Sequence, residues 1–210
     1  MTTRTERNTR QEDAGQICVV RLLAESSCDR FLAEVDRRNA WQASPPPFGT
    51  AGAAGLDKGR WDTDDVLEDD RPDLFRDVRA ELIASLAASE QFAASGLVLP
   101  SLRLMRYGEG AGSAAHVDST ARRNAHRRYT VVVYLNDDFG DGATSFPGLG
   151  KEARGAKGEA VVFPSRYIHA GSRIAFGRKH VIVGFLCDAG ETPAQTLVAP
   201  FAWDPSGRRA

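Results

Sequence analysis

The sequence has few cysteines and no long apolar run, and each absence excludes a class of protein. The three cysteines, Cys18, Cys28 and Cys187, cannot all pair and show no C-x-x-C spacing, so we expect reduced thiols rather than a disulfide framework or a thiolate metal site. Apolar runs such as residues 181–187 are too short to cross a membrane as a helix.

The chain also lacks a signal-like start and an excess of charge. Its first sixteen residues are polar and contain no secretory apolar segment, so we expect a cytoplasmic protein. Lysine and arginine number 27 against 28 acidic residues, a net charge of −1. That balance argues against a nucleic-acid partner and against binding to an anionic membrane.

Length and composition are those of one globular domain. The chain has 210 residues, of which 42% are hydrophobic and 26% charged. We expect a flexible tail over residues 1–15 and a single domain over 16–210. Its β core should span about residues 100–187, with helical support over about 16–99.

The first hundred residues predict a strand, two helices and two loops. Residues 17–23 predict a short strand, and Ser26 or Ser27 can cap a helix that ends near Arg38. The Pro- and Gly-rich residues 43–59 indicate a loop. Seven acids against one arginine over residues 62–73 indicate a second, solvated loop. From Asp73 to about Ser89, apolar residues at helical spacing predict the second helix.

After Pro100 the pattern becomes that of short strands. Runs rich in β-branched or alternating residues follow one another, separated by Gly, Asn, Asp and Pro. They cover residues 102–107, 129–135, 159–163, 167–171 and 179–186. This spacing predicts a mainly β protein, an antiparallel sandwich or barrel behind an N-terminal helical layer.

Two of the four histidines form a candidate metal site. His116 lies two residues before Asp118, and on a strand such residues point to the same face. His169 follows 51 residues after Asp118, on another predicted strand. Two imidazoles and one carboxylate are the facial set that non-haem Fe(II) oxygenases use, because it leaves the opposite coordination positions open.

A lysine in the last long strand indicates an anionic ligand. Lys179 shares a strand face with Val181, Val183 and Phe185, and a cation among apolar side chains is costly unless it meets an anion. A dicarboxylate would supply that anion, and Tyr134 can donate a second hydrogen bond to it. The rival cation is Arg178, which is one residue out of phase with the apolar face.

Four segments resemble a known family. They are RYGEGAGSAAHVD (106–118), YTVVVYLNDDFGDGATSFP (129–147), GEAVVFPSRYIHAG (158–171) and GRKHVIVGF (177–185). In content, order and spacing they resemble the prolyl-4-hydroxylase-like branch of the Fe(II)/2-oxoglutarate-dependent dioxygenases. The resemblance covers about residues 100–187, and the first hundred residues match only loosely.

The resemblance implies a fold and a site. The fold would be a double-stranded β-helix, a cupin-like jelly roll. Iron would be held by His116, Asp118 and His169, and the distal carboxylate of 2-oxoglutarate by Lys179 with Tyr134. Tyr107 corresponds to an active-site tyrosine near the co-substrate and the substrate.

It also implies a reaction. Fe(II), 2-oxoglutarate and O2 would be required, with ascorbate as a stimulant, and a substrate C–H bond would be hydroxylated with release of succinate and CO2. A carboxylate at Asp118 favours hydroxylation, whereas a smaller residue there would leave room for a halide. Two departures affect pocket details: the usual Gly-Gly-Glu-Thr reads DGAT at 141–144, and the aromatic residue expected after the cation is His180.

The sequence leaves the substrate open. We expect a small molecule such as an amino acid or a natural-product intermediate, with a peptidyl-proline of a protein as the alternative. The loop over residues 119–129 carries four arginines and no acid, which fits either a solvated loop or recognition of an anionic group. Two other classes remain: a non-oxidative cupin-like protein binding Zn or Mn, and a non-catalytic binding barrel. Nothing in the sequence predicts an oligomeric state.

Overall fold

The computed structural model describes residues 16–44, 63–89, 92 and 96–189. The expected tail over 1–15 and most of the expected loop over 43–59 lie outside these residues. Within them the chain forms two helices and eleven strands. The strands are β1 (Cys18–Arg21), β2 (Gln42–Ala43), β3 (Thr63–Leu67), β4 (Leu97–Val98), β5 (Leu102–Tyr107), β6 (Arg127–Tyr134), β7 (Thr144–Phe146), β8 (Lys151–Ala153), β9 (Glu159–Pro164), β10 (Ala170–Gly171) and β11 (Lys179–Asp188).

Both predicted helices are present, with different starts. Helix α1 (Glu25–Arg37) begins after Ala24, and no side chain caps it, so the expected serine cap is wrong. Instead the Ala24 amide donates to Glu81 Oε1 of the second helix at 2.6 Å. Helix α2 (Pro72–Ala88) begins on a proline, whose fixed φ suits a first helical position. Neither described helix is long and apolar enough to cross a membrane.

The strands form two antiparallel sheets. In the described chain the major sheet runs β1-β9-β6-β11-β5-β3-β2, with β4 paired to β11, and the minor sheet runs β10-β7-β8. Phe146 of the minor sheet meets Phe163 of the major sheet edge-on, with ring centres 4.9 Å apart. The minor sheet therefore packs on one face of the major sheet.

Alternation along the central strands divides the core in two. On β5, β6 and β11 one set of residues packs against the helices and the next set faces the minor sheet. The helix-facing set includes Leu102, Leu104, Val131, Val133 and Ile182. The other face carries a second apolar cluster together with a cavity.

The acidic segment is not a solvated loop. Its residues Thr63–Leu67 form strand β3, which pairs with β5 in register from Thr63↔Tyr107 to Leu67↔Arg103. Asp65 is buried and forms an ion pair with Arg103, and Asp64 pairs with Arg106. The two acids of β3, Asp64 and Asp65, are therefore neutralised across the strand pair by arginines that lie far away in the sequence.

Candidate active site

Three side chains converge at one end of the cavity between the sheets. His116 Nε2 lies 3.6 Å from Asp118 Oδ1, and His169 Nε2 lies 3.4 Å from Asp118 Oδ2. One nitrogen or oxygen atom from each residue falls within a 4.8 Å span. Two imidazole nitrogens and a carboxylate at this separation can share a single metal ion.

Backbone pairing places the two histidines, although the expected reason was wrong. His116 and Asp118 do not lie on a regular strand; His116 forms an isolated antiparallel bridge with His169, and Asp118 sits in a bend. The amide of each histidine donates to the carbonyl of the other at 2.9 Å. The Asp118 amide donates to Ser165 O at 3.0 Å, which fixes the loop against the turn after β9.

Close approach of two loops makes this bridge possible. A Cβ atom on Gly112 would lie 2.8 Å from Gly171 O, nearer than real Cβ contacts. A glycine at 112 therefore lets the segment before His116 lie directly on β10, the strand that follows His169.

Hydrogen bonds to backbone carbonyls orient both imidazole rings. His116 Nδ1 lies 2.7 Å from Ala114 O, and His169 Nδ1 lies 3.0 Å from Tyr167 O. Because a carbonyl oxygen only accepts, each Nδ1 must carry the proton. Each Nε2 is then left with its lone pair facing the cluster, as a metal ligand requires.

The electrostatics of the cluster keep Asp118 ionised. Burial raises the pKa of Asp118, but the hydrogen-bonding and charge interactions of His116, His169 and Thr130 outweigh it, and the net pKa is lowered. The interaction with Asp118 raises the pKa of His116, whereas burial lowers that of His169.

The cluster opens into a cavity of about 290 Å³, a volume at the lower end of small-molecule sites. Its wall combines residues from the metal cluster, from the inward faces of the major sheet and from the minor sheet. They include Arg103, Met105, Tyr107, Thr130, Val132, Thr144, Lys179, Val181, Val183 and Phe185. The β11 members are the alternating set that the sequence predicted to face inward.

Lys179 is a buried cation in this wall. Its side chain is 4% exposed, and its Nζ donates to Gly142 O at 2.8 Å. Burial, with a smaller contribution from the charge of Arg154, lowers its pKa to about 8. Within the described chain no carboxylate forms an ion pair with it.

The carbonyl that Lys179 meets belongs to the unusual DGAT segment. Asp141 and Gly142 both have positive φ, 57° and 67°. A Cβ at Gly142 would also press on Ile174 and Phe139, so only glycine fits this turn. The turn directs the Gly142 carbonyl at the lysine.

The two candidate tyrosines occupy different positions. Tyr107 lines the cavity, with Lys179 Nζ 4.8 Å from its ring centre. Tyr134 is fully buried, and its hydroxyl lies 3.2 Å from Thr144 Oγ1. Thr144 is therefore the residue through which Tyr134 meets the cavity wall.

The remaining candidates lie away from the cluster. His126 sits in a turn before β6, and Arg178 is exposed. The His180 ring packs against Trp41 at 5.6 Å, on the opposite side of β11 from Lys179. These positions agree with the strand alternation.

Sequence reasoning missed a residue behind the cluster. Thr130 Oγ1 donates to Asp118 Oδ2 at 2.7 Å and lies 3.0 Å from Ser165 Oγ. Its only sequence signal is a polar residue in phase with Val132 and Tyr134 on a strand face that points inward. That signal cannot tell which carboxylate the hydroxyl meets.

The donor set fits a divalent metal and an anionic co-substrate. The Nε2 lone pairs and the Asp118 carboxylate supply nitrogen and oxygen ligands on one side of a point and leave the cavity side free. The buried ammonium of Lys179 faces the same cavity without an acidic partner among the described residues, which suits a carboxylate of a bound molecule.

Comparison with known proteins agrees with this chemistry. Residues 102–187 match the family model described as the 2OG-Fe(II) oxygenase superfamily. No curated protein sequence matches the chain.

Solved structures share the fold at low sequence identity. A prolyl-4-hydroxylase from Pseudomonas putida aligns with TM-score 0.60 and 18% identity over 83% of this chain and 94% of that one. A prolyl hydroxylase from Trichoplax adhaerens, solved with a hypoxia-inducible-factor peptide, aligns with TM-score 0.61 and 12% identity over 90% of this chain and 94% of that one. A non-haem carbocyclase from nogalamycin biosynthesis aligns with TM-score 0.62 and 13% identity over 90% of this chain and 85% of that one.

These likenesses establish the double-stranded β-helix expected from the sequence. The superfamily requires Fe(II), 2-oxoglutarate and O2, and the chain presents a His-Asp-His cluster suited to the metal. Residues 102–187 are similar to the 2OG-Fe(II) oxygenase superfamily, and the chain has the fold of the prolyl-4-hydroxylases.

Proposed function

We propose that the protein is a hydroxylase that uses Fe(II), 2-oxoglutarate and O2 to oxidise an unactivated C–H bond of a small molecule. The observation that carries the proposal is the convergence of His116, Asp118 and His169 on one point, in the same cavity as the buried Lys179. Metal ligands alone would serve many enzymes, but Lys179 is a buried cation with no acidic partner in the described part of the chain, which adds a specific demand for an anion.

Each residue has a distinct role in this proposal. His116, Asp118 and His169 hold the iron, and Thr130 orients the Asp118 carboxylate. Lys179 binds the distal carboxylate of 2-oxoglutarate, with Tyr107 beside it. Tyr134 supports this pocket through its hydrogen bond to Thr144. When bound, the iron supplies the oxidation, coupled to conversion of 2-oxoglutarate and O2 into succinate and CO2.

Part of the cavity wall is apolar. Met105, Val132, Val181 and Val183 line the cavity together with Lys179 and the metal cluster. Apolar surroundings strengthen the charge interactions of the buried Lys179.

The small-molecule assignment is supported by the size of the cavity, about 290 Å³, which 2-oxoglutarate must share with the substrate. A peptidyl-proline remains the second candidate, because the Trichoplax neighbour is a prolyl hydroxylase in complex with a peptide. Other neighbours are a carbocyclase and an epimerase from nogalamycin biosynthesis, so hydroxylation is the part of the proposal that needs a product analysis.

We further propose that residues 16–210 act as one oxygenase domain in the cytoplasm. The cysteines at 18, 28 and 187 form no disulfide, and burial raises the pKa of the Cys28 thiol to about 11, which favours the unreactive protonated form.

Succinate release tests the proposed function. We expect the wild type to form succinate from 2-oxoglutarate only with Fe(II) and O2, and His116→Ala and His169→Ala to lose this turnover. His126→Ala is the matched control, because that histidine lies in a turn outside the cluster. Wild-type turnover in either ligand variant would contradict the metal assignment.

Product mass tests the reaction outcome. In a screen of amino acids and peptides with excess chloride present, we expect a gain of one oxygen and no chlorine, because Asp118 occupies the place a halide would need. A chlorinated product would refute hydroxylation. Metal binding without any succinate would instead favour the non-oxidative, cupin-like alternative.

A further inference from the structure

A second cation, Arg103, faces the same cavity and is used by none of the roles above. We propose that Arg103 binds a carboxylate group of the primary substrate, an inference that rests on the proposed function and specifies its substrate class. The substrate would carry this carboxylate next to an apolar portion.

The position of Arg103 separates it from the co-substrate lysine. Arg103 lies opposite Val183 on β11, whereas Tyr107 lies opposite Lys179. Four residues of strand therefore separate the two cation positions, about 13 Å at the usual rise. A molecule anchored at Arg103 can occupy the cavity beside one anchored at Lys179.

The hydrogen bonds of Arg103 leave a donor free for a ligand. Its Nη2 donates to Oδ2 of Asp65, which is buried and holds the guanidinium in place. Its Nε is buried and has no hydrogen-bond partner among the described residues. The Arg103 side chain lines the cavity and is 38% exposed. A guanidinium binds a carboxylate through a pair of adjacent N–H groups, so this side chain is suited to that ligand.

Arg103, Tyr107 and the metal ligands line the same cavity. Tyr107 lies on the same face of β5 as Arg103, four residues further along the strand. A substrate held by Arg103 would extend past Tyr107 toward the metal ligands.

A neighbouring arginine provides the contrast. Arg106 lies on the same strand and also pairs with an aspartate of β3, Asp64, but it projects from the opposite face. It donates both Nε and Nη2 to Asp64 and stacks over Trp41 at 4.3 Å. Arg106 thus has a complete structural role, whereas Arg103 lines the cavity and its Nε has no partner among the residues that the structure describes.

Calorimetric titration tests the inference. The protein is loaded with Fe(II) and saturating 2-oxoglutarate without oxygen, so that Lys179 is occupied, and is titrated with hexanoate or with its neutral analogue hexanamide. We expect hexanoate to bind at least tenfold more tightly in the wild type, and the ratio to fall towards one in Arg103→Gln.

Two further variants separate charge recognition from a loss of folding. Arg106→Gln removes the matched ion pair on the other face and should keep the wild-type ratio. Arg103→Lys retains the charge and should keep part of the preference even if Arg103→Gln fails to fold. Equal binding of acid and amide by the wild type, or an unchanged ratio in Arg103→Gln, would overturn the inference.

Titration with 2-oxoglutarate distinguishes this inference from the proposed function. A tenfold loss of 2-oxoglutarate affinity in Arg103→Gln would show that Arg103 serves the co-substrate and would also overturn the inference. If the wild type failed to bind 2-oxoglutarate, the proposed function would fail, and the hexanoate ratio could still be measured with Fe(II) alone.

Discussion

At the scale of single residues, Lys179 combines a structural cost with a binding role. Its ammonium is buried, meets a backbone carbonyl, and lies among Tyr107, Val181 and Val183. Desolvation of this kind is tolerated in folded proteins mainly where a ligand later compensates it. Arg178, the adjacent cation, is exposed and carries no such cost.

Substitution of the two cations should separate them. We expect Lys179→Ala to raise the KM for 2-oxoglutarate tenfold or more, because each tenfold corresponds to about 1.4 kcal/mol and a buried ion pair exceeds that. Arg178→Ala should change the KM less than about fivefold, since an exposed pair contributes at most about 1 kcal/mol. Steady-state kinetics on both variants measures the two KM values. A large increase in Arg178→Ala alone would contradict the assignment of Lys179 as the 2-oxoglutarate anchor.

The same lysine should make stability depend on pH. Its pKa falls from 10.5 to about 8 on folding. The free energy of protonating the lysine is therefore less favourable in the folded state by roughly 3 kcal/mol. Below pH 8 both states are protonated and the full cost is present. Between pH 8 and 10.5 the folded state has lost the proton that the unfolded state keeps, so wild-type stability rises with pH.

Lys179→Met should therefore stabilise the ligand-free protein by up to roughly 3 kcal/mol at pH 7, with the advantage disappearing as pH approaches 10.5. Urea unfolding of the wild type and of Lys179→Met at pH 7 and pH 10 measures this difference in the free energy of unfolding. An advantage independent of pH would show that the lysine is not charged at a cost in the folded state.

At the scale of elements, an ion pair fastens α2 to the start of β5. Glu68 Oε2 accepts from Arg79 Nη1 at 2.7 Å and from the Leu102 amide at 2.8 Å. Arg79 Nη2 in turn donates to the carbonyls of Leu99 and Pro100. These contacts set where β5 begins, and so which of its residues face the cavity.

Removing Glu68 should have a larger effect than removing an exposed glutamate. We expect Glu68→Ala to lower the free energy of unfolding by about 2–3 kcal/mol, because it leaves the charge of Arg79 without its carboxylate partner and the Leu102 amide without its acceptor. Glu34→Ala is the control: Glu34 pairs with Arg37 and Arg38 on the exposed side of α1, and its loss should matter much less. Equal losses in urea unfolding would contradict a special role for Glu68.

At the scale of the whole molecule, the cavity joins parts that are otherwise separate. Lys179 comes from the major sheet, Thr144 from the minor sheet, and His116 from the loop after β5. A bound metal and co-substrate would link all three. The ligands should therefore stabilise the domain as a unit.

Metal and co-substrate should raise the thermal midpoint together. At a hundred times its Kd, a ligand that binds only the folded state adds about 2.7 kcal/mol, which for a chain of this size is several degrees. We expect that shift with Fe(II) and 2-oxoglutarate under nitrogen, and its loss on adding EDTA. Thermal melts of His169→Ala serve as the control, and a full shift in that variant would contradict binding at the cluster.

The sequence by itself determined the strand faces and the site chemistry. The alternation of Lys179, Val181, Val183 and Phe185 was sufficient to predict which side of β11 faces the cavity, because side chains on a strand alternate strictly. The spacing of His116 and Asp118 and the matching segments marked these two residues and His169 as candidate metal ligands, which stays a prediction. These are local patterns, which a chain carries regardless of its tertiary neighbours.

Only the tertiary structure decided which residues are partners. The acids of β3 resembled a solvated loop because Arg103, which neutralises Asp65, lies 38 residues away along the chain. Thr130 and Asp118 lie twelve positions apart in the sequence, and their side chains meet only in the folded chain. Periodicity reports the face on which a side chain lies, but strand register sets what it touches, and register depends on packing of the whole domain.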